Sequence, residues 1–105
     1  MAKYLFQGSY TEAGTKGLLK AGGSSRRQAI EQAIKSLGGK VEAVYYAFGE
    51  TDAYVIADLP DPIGAMAFSL ITNASGAAKV KTTVLLTPEE VDQATKKSVE
   101  YCPPG

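Results

Sequence analysis

The sequence predicts an α+β fold of the ferredoxin-like βαββαβ type. It would have a four-stranded antiparallel sheet, both main helices on one face and an extra C-terminal helix. Three observations carry that prediction. β-Branched and aromatic residues gather in four short runs. Two of the runs are separated by a three-residue loop. Helical apolar periodicity fills the other gaps. At 105 residues the chain is one domain's worth, read here as a single domain over 1–105.

The first run, residues 3–10, alternates Tyr4, Phe6, Gly8 and Tyr10 with Lys3, Leu5, Gln7 and Ser9, so each set takes one face of a strand. Residues 11–20 form a short helix weakened by Gly14 and Gly17, with Thr11 as its N-cap. Gly22-Gly23 break the chain. Ser25 followed by Gln28 fits a capping box opening a second helix, whose apolar face is Ala29, Ile30, Ala33, Ile34 and Leu37. Gly38-Gly39 supply its left-handed C-terminal cap. Strands over 40–48 and 52–59 follow, joined by Gly49-Glu50-Thr51. Asp61-Pro62 cap and open the next helix, with the apolar stripe Ile63, Met66, Ala67, Leu70 and Ile71 facing the core. Residues 79–86 form the fourth strand. Thr87 to Glu90 is a second capping box, and its helix runs to about Ser98.

Composition narrows the function classes. Eleven Lys and Arg balance eleven Asp and Glu, so the chain lacks the cationic surplus of a nucleic-acid binder or a polybasic membrane anchor. No stretch reaches the roughly 18 apolar residues of a membrane span. There is no His, which removes the commonest general base, the commonest metal ligand and a proximal haem ligand. Cys102 is the one cysteine, so neither an internal disulfide nor a thiolate metal cage is available. No metal and no cofactor is expected. Lys3 and a strand-like segment follow the N-terminus directly, so no signal peptide is read and a cytoplasmic location is expected.

Helices on one face leave the other sheet face bare. Its residues would be Leu5, Ile56 and Leu85 together with Gln7, Ser9, Tyr54, Lys81 and Thr83. A half-apolar face of this kind calls for a cover, and a second copy placed sheet to sheet would provide it. A homodimer is therefore expected, with a cavity between the sheets. The alternative is that the terminal helix folds back over its own sheet.

The chain resembles the GYD-domain family of dimeric α+β barrel proteins. The resemblance rests on Tyr4-Leu5-Phe6-Gln7, Tyr10-Thr11, Gly22-Gly23-Ser24-Ser25-Arg26-Arg27, Ser36-Leu37-Gly38-Gly39-Lys40 and Tyr46-Ala47-Phe48-Gly49-Glu50. It continues through Tyr54-Val55-Ile56-Ala57-Asp58-Leu59-Pro60, Asn73-Ala74-Ser75-Gly76 and Leu85-Leu86-Thr87-Pro88-Glu89-Glu90. Where the family carries its Gly, Tyr and Asp cluster, this chain reads Gly49-Glu50-Thr51-Asp52, with Thr51 at the tyrosine's position. The resemblance implies a ferredoxin-like fold and dimerisation, and no particular activity. Related dimeric barrels include haem enzymes, cofactor-free monooxygenases and small-ligand sensors, which is analogy of fold alone.

The candidate ligand-binding residues are Gln7, Ser9, Arg26, Arg27, Tyr46, Asp52, Tyr54 and Lys81. Arg26 and Arg27 open a helix, where free N–H groups favour an anion; solvated arginines beside an ordinary cap are the plainer reading. Asp52 in an apolar cavity would act as a base or acceptor, or it simply caps the hairpin. Tyr45 and Tyr46 point to opposite faces, and either one can be the core residue. Gln7, Ser9 and Lys81 line the bare face, as anion ligands or as cross-strand pairs. Three functions follow. The first is a dimeric module binding a small metabolite, an anion being the case the arginines favour. The second is a structural dimer without a ligand. The third is a cofactor-free enzyme, monooxygenase- or isomerase-like, working through Asp52 and tyrosines.

Overall fold

In the computed structural model, which describes residues 1–105, the chain runs β1 (Ala2–Tyr10), α1 (Glu12–Ala21), α2 (Gly23–Ser36), β2 (Lys40–Tyr46), β3 (Ala53–Leu59), α3 (Pro62–Ala74), β4 (Ala78–Leu85) and α4 (Pro88–Thr95). The strands form one antiparallel sheet in the order β2-β3-β1-β4. This is the expected ferredoxin-like arrangement, with two helices in the first crossover. Tyr4, Phe6, Val55, Ala57 and Leu59 pack from the sheet against Ile30 and Ile34 of α2 and Ala65 of α3 to make the core.

Most helix ends form as the sequence dictates. Thr11 accepts from Gly14 N–H at 3.2 Å, Asp61 from Gly64 N–H at 2.9 Å, and Thr87 and Glu90 close their capping box. At the end of α2, Gly39 N–H bonds the Ile34 carbonyl and Gly38 N–H the Lys35 carbonyl, with Gly38 at φ +79°. That pair of bonds needs a left-handed residue, which glycine adopts without a Cβ clash.

Four local expectations are corrected. The Ser25–Gln28 capping box does not form. Helix α2 restarts straight after α1, Gly22 is its N-cap without a side-chain bond, and Arg26 N–H reaches the Gly22 carbonyl, so Ser25 already lies inside the first turn. The β2–β3 loop is longer than three residues. It spans Ala47–Asp52, closed by Ala47 N–H to the Asp52 carbonyl at 2.8 Å. Asp52 is tied to β1 as well, through its N–H to the Gly8 carbonyl and its carboxylate to the Tyr10 N–H. Helix α4 stops at Thr95 rather than about Ser98.

The fourth correction concerns α3. Its stripe residues Ile63, Met66 and Leu70 are exposed, Ile63 by 79 % and Leu70 by 60 %, and Ile71 is exposed at the margin of the packed side. The opposite side, Ala65 and Phe68, meets the sheet, with the Phe68 ring edge-on to Phe6 at 4.8 Å. No residue of α3 is charged, so neither side is marked as the wet one and periodicity alone does not choose between them.

Every residue from Leu86 to Gly105 is exposed, so the terminal helix does not fold back over its own sheet. It projects as an arm. The radius of gyration is 16.5 Å, where a compact chain of this length has about 13 Å. No helix is long and apolar enough to cross a membrane.

Candidate functional site

Strand register sorts the candidate residues onto two faces. Lys81 pairs with Gln7, Gln7 with Tyr54, and Tyr54 with Tyr45, so these four make one row across the bare face. The neighbouring row is Thr83, Leu5, Ile56 and Ala43. Ser9 lies opposite Lys79, and its hydroxyl donates to the Glu50 carbonyl. Together Gln7, Ser9, Glu50, Thr51, Lys79 and Lys81 border an open polar hollow of about 370 Å³. At the other end of the face, Lys3 donates to Glu42 and to Asp58, and both bonds hold its pKa above the ordinary lysine value. Glu42 reaches Lys3 because a bulge between Val41 and Ala43 leaves it out of the ladder.

Asp52 does not line that hollow. Its carboxylate accepts the Tyr10 backbone N–H at 2.8 Å, and its own N–H donates to the Gly8 carbonyl at 2.9 Å. Both bonds run to β1, so the carboxylate ties β3 to β1 rather than capping the β2–β3 loop or standing as a free base. The arginine pair also divides. Arg27 lies 3.5 Å from Glu31, one turn on. Arg26 is half-buried and has no carboxylate partner.

Tyr46, and not Tyr45, is the helix-side tyrosine. Its hydroxyl donates to the Gly23 carbonyl at 2.9 Å, where α2 begins. Burial pushes its pKa up, the Tyr10 phenol beside it adds to the rise, and Arg26 pulls it part of the way back. Tyr10, Arg26 and Tyr46 thus form one small cluster.

That cluster stands at a cleft which the sequence reading missed. Between α2, α3 and the inner face of the sheet lies an apolar cleft of about 240 Å³. Gly8, Ala53 and Ala78 make its floor, Ala29, Ile30 and Ala33 one wall, and Phe68, Ile71 and Thr72 the other. Tyr10 and Arg26 also line it, and Arg26 carries the only charge. The cleft exists because three core-facing strand positions are glycine or alanine where a filled core would carry larger side chains. Those small residues on three strands were the available signal. No group of His, Cys, Asp and Glu that could hold a metal ion converges anywhere in the chain.

The family model described as GYD domain matches residues 4–95. No curated protein and no solved structure matches the chain.

Proposed function

The chain belongs to the GYD-domain family, and from that footing we propose that it is a self-associating module that binds a small molecule joining an apolar body to one negative charge. The observation that carries the reading is Arg26: half-buried, without a carboxylate partner, and the single charge on an otherwise apolar cleft. A guanidinium in that setting favours a carboxylate or phosphate, held by two parallel bonds. The walls take the apolar body, and a volume of about 240 Å³, a little below the usual ligand pocket of about 300–1,000 Å³, limits it to a small one. Self-association draws support from the half-apolar bare face, where Leu5 and Ile56 sit side by side.

Octanoate has the required chemistry and serves as the probe. Titrated into labelled protein, it should shift the amide signals of Gly8, Ala29, Ala53 and Ala78. Arg26→Ala should weaken binding by about tenfold or more, since bonds to a charged group carry roughly 1.5–3 kcal/mol. Octylammonium should not bind. Equal binding by wild type and Arg26→Ala would remove the reading.

A second reading keeps the anion between two sheets. Lys79 and Lys81 beside Gln7 and Ser9, with Tyr54 in the same row as Lys81, favour it. Lys81→Ala separates the two. If it abolishes binding while Arg26→Ala does not, the anion belongs on the bare face.

A further inference from the structure

Helix α4 is a well-made helix with nothing to pack on. Its capping box is complete, yet it is eight residues long and every residue is exposed. An isolated helix below about 12–15 residues is marginal in water and draws its stability from burying an apolar face. The arm carries apolar groups to bury: Leu86, Val91, Val99 and Tyr101 are all exposed large hydrophobics. Helix α3 presents the complementary case. It has no charged residue, its inner side already packs on the sheet, and Ile63, Met66 and Leu70 stand exposed on its outer side. A helix apolar on both sides is normally covered on both.

The exposed area gives the scale. A compact monomer of 11.0 kDa exposes about 5,600 Å². This chain exposes 7572 Å², an excess of about 2,000 Å². A standard stable dimer buries about 800 Å² on each partner. The surplus is therefore more than enough for an interface with a second copy.

We propose that the C-terminal arm of one chain docks on the outer stripe of α3 in a second copy, and that the second chain returns the contact. The two unpartnered apolar surfaces lie on one chain and do not cover each other within it. Exchange about a two-fold axis covers both surfaces twice, which a single partner of another kind would not do. This inference rests on self-association and is independent of the cleft at Arg26.

The test uses full-length chains in a Cys102→Ser background. Leu70→Cys and Val91→Cys chains are co-expressed, so a disulfide between positions 70 and 91 can form only between copies. Mass spectrometry of the oxidised mixture should find that link, and a control pairing of Leu70→Cys with Lys16→Cys, on exposed α1, should not give one. Wild type should sediment at twice the chain mass. A mixture at twice the chain mass without the 70–91 link overturns arm docking and leaves self-association standing. Wild type at a single chain mass overturns both.

Discussion

Asp52 and Tyr10 are clasped side chain to backbone: one carboxylate oxygen of Asp52 lies 2.8 Å from the Tyr10 nitrogen. The Asp52 N–H returns a bond to the Gly8 carbonyl, so this one residue ties the start of β3 to the end of β1. Removing the acceptor leaves a part-buried N–H without a partner, which costs about 1–3 kcal/mol. Asp52→Ala should lose stability in that range in urea melts. Asp52→Asn keeps an acceptor oxygen and should lose less than half as much. If the two variants melt alike, the clasp is not what the carboxylate contributes.

Two glycines of α1 should respond in opposite directions. A Cβ at Gly14 would lie 1.8 Å from the Ala77 carbonyl oxygen, a backbone atom that cannot step aside. A Cβ at Gly17 would meet nothing within 4 Å. Gly14→Ala should therefore destabilise by several kcal/mol or prevent folding, because the helix must lift off the loop before β4. Gly17→Ala should stabilise by about 0.5–1 kcal/mol, the usual gain for alanine over glycine inside a helix. Thermal melts of the pair decide it, and a stable Gly14→Ala would contradict the close approach.

The fold is legible in the sequence wherever the signal is local. Asp61-Pro62 and Thr87 with Glu90 announce helix starts, Gly38-Gly39 a helix end, and period-two alternation in residues 3–10 separates core from bare face. What stays hidden depends on relationships between elements. Ser25 and Gln28 form no box because where α2 starts is decided by where α1 stops. Which tyrosine of Tyr45-Tyr46 faces the helices is settled by the register of β2, which a bulge shifts. The facing of α3 is set by Phe68 on Phe6, since both sides of the helix are apolar. Of the candidate site residues, Gln7, Ser9, Lys81 and Tyr54 do share a face, because they follow alternation. The cleft is an absence of volume spread over Gly8, Ala53 and Ala78, and it emerges only once three strands are aligned.

Alkaline pH should weaken the fold in a defined window. The Tyr46 phenol titrates above its ordinary value of 10.0, chiefly because burial disfavours the phenolate. A raised folded-state pKa means that the stabilisation is fully present below pH 10 and is lost as pH rises through the folded value. Ionisation also removes the proton that Tyr46 donates to Gly23. Lys3 is likewise raised above 10.5 by Glu42 and Asp58, and loses its contribution in the same direction. Stability measured by urea melts should hold to about pH 9.5 and then fall. Tyr46→Phe should flatten part of that fall and leave the part belonging to Lys3. An unchanged slope in Tyr46→Phe would place the alkaline loss elsewhere.

The orientation of α3 can be read from two alanine substitutions on opposite sides of one helix. Phe68 meets the Phe6 ring at 4.8 Å, so Phe68→Ala removes packing from the core side and should cost about 2–4 kcal/mol at any protein concentration. Met66 is exposed by 58 % and touches solvent in the single chain, so Met66→Ala should cost nothing measurable in dilute protein. In an associating chain the outer stripe is covered, and its loss then weakens the dimer rather than the fold of each copy. The cost of Met66→Ala should therefore grow as protein concentration rises into the range where wild type associates, while that of Phe68→Ala stays constant. A constant, near-zero cost for Met66→Ala through that range would mean that α3 keeps its outer stripe in water, and that the self-association surface lies on the sheet alone.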